Sequence, residues 1–335
     1  MSREPIYHTT VRRLSADELR EKLSGSPDET ARWVYAAAVG GSNTAQVNLG
    51  QMLLDGHGMT RDPEAAFRWF TISATAGNVD GINMLGRCYE LGWGIAVDLV
   101  QALGCYRKAA ATAHPWAQFN LAMMMLRDSD DLPVVKAALT LLVRSARQGN
   151  AKSMNMIGRY RECGWIGPAD VSSAIRWYRR AAERGCFRGA AHLARCMQAE
   201  GEIDEAARWY RTSAEIAPVE FCRELAAQLL DAEWPVLQSI GRMALMRAAE
   251  SEDAADLFSY GHALAHGRGG PIDLEEAAVW LGRAEAKGFP GALDILIYWM
   301  TRGVREPSHD RQNGNPSRIW SGRESNLLFA RFLRP

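Results

Sequence analysis

A net charge is the first thing this chain lacks. Lys+Arg and Asp+Glu both number 39 in 335 residues, so no global field recruits nucleic acid or an anionic membrane, and a partner has to be chosen by local groups. No run of about 18 apolar residues occurs, which argues against a membrane-spanning helix. The first twenty residues carry basic side chains with no apolar stretch of signal-peptide length behind them, and the expectation is a cytoplasmic protein. Six cysteines (Cys88, Cys105, Cys163, Cys186, Cys196, Cys222) form no C-x-x-C and hold no fixed place in a repeating unit, so reduced, packed thiols are expected rather than a disulfide ladder or a zinc site. Ser-x-x-Lys, G-x-S-x-G, P-loop and H-E-x-x-H patterns are missing, and with them the usual hydrolase and nucleotide signatures. His262 and His266 stand four apart and could form two corners of a metal site, but no third ligand follows at suitable spacing. No cofactor or metal is expected. The glycine cluster at 266–271 follows a helical stretch, which makes it an inter-helix turn rather than a phosphate loop.

What the chain has is repetition. Shifted by 36 residues, 45–56 falls on 81–92, 117–128 and 153–164. Small residues stay in register at Gly50, Gly86, Ala122, Gly158 and Ala194, and a second series recurs at Trp33, Trp69, Cys105, Leu141 and Trp177. Five in-phase copies predict a solenoid, and weaker copies at Ala226, Gly261 and Ile297 raise the total to about eight units. Each unit reads as two helices. The first has small or apolar residues at helical spacing, the small one letting a neighbouring backbone approach. The second starts at a cap: Ser26 with Glu29 and Asp273 with Glu276 look like capping boxes, and Asp62, Asp98 and Asp170 keep the same phase. Gly56-His57-Gly58 and Gly92-Trp93-Gly94 supply turns that end the first helix. Trp93 and Trp165 belong to such turns, either packing on the neighbouring turn or offering a contact edge.

The stretch Gly81 to Gly94 with Asp98, Ala102 and Ala109-Ala110, and again Trp177, Ala181-Ala182 and Gly185, resembles the Sel1-like repeat, a relative of the tetratricopeptide repeat. The resemblance covers roughly residues 28–304. It departs at 127–133, at 198–204 and at 231–239, where the glycine turn or the spacing is lost. It implies an all-α, right-handed α-solenoid of about eight antiparallel helix pairs over 26–304, preceded by a segment 1–25 with a first capping helix and followed by a tail, 305–335. It also implies an adaptor that binds a protein partner.

By the tetratricopeptide analogy, first helices line the concave face, and the residues three before, one after and four after the small residue point into it. Those positions are Asn83, Arg87 and Glu90, then Phe119, Met123 and Leu126, then Asn155, Arg159 and Glu162, with Arg195 continuing the basic row and Lys152 and Arg188 at the mouth. Asn can bond both halves of a peptide group, Arg offers a fork to carboxylates, and Phe119 and Met123 accept an apolar anchor. The expected partner is a peptide or helix with acidic groups around one apolar anchor. The alternatives are a solvated face, with Arg87–Glu90 and Arg159–Glu162 as local i,i+3 pairs, or an enzyme or small-molecule regulator using a groove site. Residues 302–335 carry seven Arg against Glu306, Asp310 and Glu324 and end in the apolar stretch 326–333, which could cap the last unit or enter the groove.

Overall fold

The computed structural model describes residues 16–298 except 130, 166 and 296, with Ile6 and Thr9 besides. The expected tail and most of the eighth unit lie outside the described residues. Among the described residues there are sixteen α-helices and no strand. They are α1 (Ala16–Leu23), α2 (Pro27–Val39), α3 (Asn43–Asp55), α4 (Pro63–Thr75), α5 (Val79–Leu91), α6 (Leu99–Ala111), α7 (Pro115–Asp128), α8 (Leu132–Arg147), α9 (Ala151–Cys163), α10 (Val171–Glu183), α11 (Phe187–Ala199), α12 (Ile203–Ile216), α13 (Val219–Leu229), α14 (Pro235–Ala249), α15 (Ala254–Ala265) and α16 (Leu274–Ala286). The chain divides into two compact bodies, one up to Ser153 and one from Met154. In the first, each helix from α1 to α8 packs on the next, and the first helices α3 and α5 also touch. In the second, α10 to α16 do the same, with the second helices α12 and α14 in contact. The solenoid of helix pairs expected from the 36-residue period is what the chain forms.

The helix starts follow from side-chain chemistry. Asp62, Asp98, Asp170 and Asp273 each accept a backbone N–H from the first turn of the second helix they open, satisfying donors that have no partner within the helix. Each of these aspartates also returns its own N–H to a first-helix carbonyl: Leu53, Tyr89, Arg161 and Leu264, at 2.8, 2.9, 2.8 and 3.1 Å. One residue thus starts one helix and ties it to the other. Two caps differ from expectation. The Ser26 hydroxyl makes no cap bond and donates instead to Asp28 at 2.6 Å. Glu276 does not close a box with Asp273, because its carboxylate is taken by the Tyr260 hydroxyl and the Trp280 indole.

The two glycines of a turn have separate duties. Gly92 closes α5 in the left-handed conformation, φ 73°, and Gly94, φ 70°, lies so close to the start of α4 that a Cβ would overlap the carbonyl oxygen of Pro63. Gly58 meets Pro27 of α2 and Gly269 meets Gln238 of α14 in the same way. The 266–271 cluster is likewise a turn, with Arg242 donating to the carbonyls of Arg268 and Pro271 at 2.6 and 2.9 Å. All six cysteines are free thiols, four of them buried.

The small residues of the first helices have a different role from the one expected. What lies over Gly50, Gly86 and Gly158 is a side chain of the pair's own second helix rather than a backbone. A Cβ on Gly86 would stand 2.8 Å from Tyr106 Cε1, and one on Gly158 would stand 2.5 Å from Tyr178 Cε1. Phe70 covers Gly50 in the same manner. These three rings are fully buried, so the helix pair closes around an aromatic seated on glycine. Gly86→Ala and Gly158→Ala should therefore each lower stability by about 1–3 kcal/mol through overpacking. Gly104→Ala, at a helical glycine with open space around its Cα, should instead raise it by about 0.4–1 kcal/mol. Urea unfolding checks both, and equal effects at Gly86 and Gly104 would contradict the seating.

Candidate functional site

In the first body, α5 and α7 lie under a groove cavity of about 300 Å³. Val47 and Met84 form its apolar part, Asn83, Asn120 and Trp116 its walls, and Arg87 and Lys152 its cations, with Asp80 and His114 at the edge. His114 accepts the Ala117 N–H on Nδ1 at 3.1 Å as the cap of α7, which places the ring proton on Nε2, 2.9 Å from Asp80 Oδ1. Asn83 is 6% exposed, and its Oδ1 accepts from Asn120 Nδ2 at 3.0 Å. Its acceptor half is thereby used, and the amide is left with N–H groups to give. Lys152 Nζ lies 5.5 Å from the centre of the half-exposed Trp116 ring.

Arg87 is fixed by soft contacts. Its guanidinium lies over Trp93 at 4.5 Å and Nη1 stands 4.0 Å from Met84 Sδ. Trp93 itself packs against the cluster of Leu54, Phe70, Met84 and Cys88. Glu90, three residues on, turns away from Arg87: Oε2 accepts from Tyr106 at 2.6 Å and Oε1 stands 3.6 Å from Arg127 Nη1. Burial first, and then the bond to Glu90, push the Tyr106 hydroxyl pKa upward. Arg87 is paired with no carboxylate within 4.0 Å among the described residues.

The second body repeats the arrangement 72 residues later. Arg159 lies 5.5 Å from the centre of Trp165 and 3.9 Å from Met156 Sδ, and it too lacks an ion-pair partner among the described residues. Trp165, 45% exposed, meets Tyr160 edge-on at 4.7 Å, whereas Trp93 is packed on its core cluster rather than on the neighbouring turn. Glu162 accepts from Tyr178 at 2.8 Å and is paired with Arg195. Burial opposes its ionisation, but the bonds from Arg195 and Tyr178 outweigh burial and hold the carboxyl below its ordinary value.

One pair of residues departs from the copy. Asn155 and His192 take the places of Asn83 and Asn120, yet Asn155 Oδ1 and His192 Nδ1 are buried with no hydrogen-bond partner. The His192 ring lies against Tyr178 at 5.0 Å. Burial, aided by Arg159 and Arg195, pushes its pKa down to about 3.

A sequence rule runs through the helix pairs. The residue four after the small one faces the residue twenty after it: Leu54 with Phe70, Glu90 with Tyr106 and Glu162 with Tyr178; the same two positions hold the buried Leu126 and Leu142 in the third unit. A hydroxyl in the second helix meets a carboxylate in the first, and an apolar side chain meets leucine. The shortened fifth unit keeps the logic, with the Tyr210 hydroxyl 3.1 Å from Gln198 Oε1. Local i,i+3 pairing was the expected alternative; the glutamates are turned to the second helix and to the arginine of the following first helix instead. Phe119 and Met123 are half-buried on α7 and are not among the cavity's lining residues. Trp116 and Asn120, which do line it, were missed, although Trp116 stands six before Ala122, the place that Lys152 and Arg188 hold in their units. His262 and His266 stack at 4.0 Å, and among the described residues no three or more His, Cys, Asp or Glu side chains are grouped to hold a metal ion.

These observations define a helical-repeat protein whose distinctive surface groups lie on first helices. The Sel1 repeat model matches residues 43–78, 79–112, 117–150, 151–186 and 254–289, more than half of the chain, and the protein belongs to the Sel1 repeat family. It is 32% identical over 80 residues to a putative Sel1-like repeat-containing protein of Acanthamoeba polyphaga mimivirus, an alignment covering 24% of this chain and 15% of that relative. A Sel1 repeat protein from Oxalobacter formigenes shares the fold, with TM-score 0.52 and 23% identity over 65% of this chain and 98% of the other. A protective antigen of uropathogenic Escherichia coli is also similar, with TM-score 0.47 and 27% identity over 89% and 66%. Among the described residues no helix is long and apolar enough to cross a membrane.

His192 gives a pH test. Its folded pKa lies below the ordinary 6.5, so the unfolded chain takes up the proton first, and stability present above pH 6.5 is lost as pH falls toward 3. His192→Asn, which reinstates the Asn83–Asn120 arrangement, should remove that loss. The stability difference between variant and wild type should grow between pH 7 and pH 4 by at most about 1.4 kcal/mol per pH unit, as read from urea titrations; parallel pH curves would contradict the buried neutral ring.

Proposed function

We propose that this protein is a non-catalytic, cytoplasmic interaction scaffold whose first helices receive an acidic peptide or helix of a protein partner, with an apolar anchor. The observation that carries the reading is Arg87 and its counterpart Arg159. Each is held on a tryptophan and a methionine sulfur, and neither has a carboxylate partner among the described residues. A guanidinium fixed in place yet electrostatically uncompensated favours a carboxylate brought by another molecule. Asn83 presents N–H groups beside Arg87, Trp116 and Met84 offer apolar contact, and the chain's neutral balance leaves such local groups to choose the partner. In the first body Phe119 and Met123 extend the proposed contact along α7, with Glu90 behind it; in the second, Asn155 belongs with Arg159, with Glu162 and Arg195 behind it. A second reading draws on the cavity, whose 300 Å³ is the lower end of the size that small ligands use.

Affinity capture with the full chain, followed by binding titration of the captured partner, tests the first reading. Arg87→Glu with Arg159→Glu should weaken that partner by about tenfold or more while the melting temperature moves little, and Arg180→Glu, on a second helix, should leave binding unchanged. Equal affinity for wild type and the double variant would remove the support for this surface.

A further inference from the structure

The unsatisfied charge on Arg87 needs an explanation, because the sequence places Glu90 three residues away on the same helix, where an exposed Arg and Glu ordinarily meet. Glu90 is diverted. One carboxylate oxygen accepts the Tyr106 hydroxyl at 2.6 Å and the other faces Arg127 at 3.6 Å. Tyr106 cannot yield, since its ring is fully buried on Gly86 in the core of the first body. The carboxylate is thus anchored from beneath by a group that has no freedom of its own. The unit that lacks the hydroxyl supplies the comparison: where Phe70 replaces the tyrosine, Leu54 replaces the glutamate and Gln51 stands in place of Arg87. Hydroxyl, carboxylate and arginine are present together or absent together in these two units.

We infer that Tyr106 is a positioning residue for partner recognition: by holding Glu90 it denies Arg87 its neighbouring carboxylate and keeps the groove cavity of the first body cationic for an acidic side chain of the partner. This rests on the proposed acidic partner and adds the reason why this surface, and not merely any arginine, attracts it. It also explains why the sequence carries acidic residues in a groove meant for acids. Glu90 is consumed by the fold and takes no part in repelling the ligand.

The test is a cycle of variants of the full chain. Tyr106→Phe keeps the ring, and Phe70 on Gly50 shows that the fold accepts it. It releases Glu90, which should then swing to Arg87. Binding of a fluorescein-labelled Glu-rich octapeptide with one central Leu should fall about three- to tenfold. Glu90→Gln added to Tyr106→Phe removes the competing charge and should restore the wild-type affinity, a rescue that a merely structural tyrosine would not show. In parallel, the Arg87 Nε–Hε resonance, assigned from its loss in Arg87→Lys, should shift in Tyr106→Phe and return in the double variant. Unchanged peptide affinity in Tyr106→Phe, or a loss that Glu90→Gln does not rescue, overturns the inference. If wild type ignores the peptide, the acidic-partner reading fails, and the arginine resonance still decides whether Tyr106 controls the Glu90–Arg87 contact: no shift overturns that too.

Discussion

Three helix pairs of this protein close around a residue with no side chain. Glycine at 50, 86 and 158 leaves room for one ring from the second helix, and because interiors are filled to crystal-like density, the ring's identity determines what its surroundings can be. A phenylalanine ends in hydrocarbon and is met by Leu54. A tyrosine ends in a hydroxyl that must be bonded where it is buried, and it is met by Glu90 or Glu162. The chemistry of the exposed face is therefore partly decided from inside, by whether the seated ring carries oxygen.

Across the first four units that constraint alternates, so that like units stand 72 residues apart. Ser73 and Ser145 are fully buried and donate to the carbonyls of Asn43 and Pro115, at 3.2 and 2.7 Å, at the start of their own first helices. The intervening units place Ala109 and Ala181 there and carry the Gly, Glu and Tyr set instead. In these four units two kinds take turns, one tied by a serine near the base of its first helix and one by a tyrosine higher up; the fifth unit has both, with Ser213 donating to the Phe187 carbonyl at 2.8 Å and the Tyr210 hydroxyl bonded to Gln198. The second kind carries, one residue after its glycine, the arginines Arg87 and Arg159 that have no ion-pair partner among the described residues.

What was legible in the sequence was local or periodic. The register of the first helices, the aspartate caps and the glycine turns rest on interactions within a few residues, and the 36-residue period repeats each of them often enough to be read. The Ser26 cap was misread because its hydroxyl had a nearer acceptor in Asp28. The role of the small residues was misread for a different reason: one-dimensional spacing shows that a close approach exists but not which group makes it. The positions of Asn83, Arg87 and Glu90 on one helix were evident, whereas the fate of their hydrogen bonds was not, since Tyr106 and Asn120 come from other helices, 16 and 37 residues from the groups they bond. A signal was present all the same, in the joint change of positions 54 and 70 against 90 and 106.

The second glycine of three of the turns has a consequence for how such a protein can diverge. At Gly58, Gly94 and Gly269 the spacing from one pair to the next is set by main chain meeting main chain, a contact that has no side-chain identity to lose. Substitutions on the first helices can then rewrite recognition without disturbing the stacking geometry, so long as those few positions stay bare. The lattice is conserved by atoms every residue shares, and the surface it displays is free to become something else.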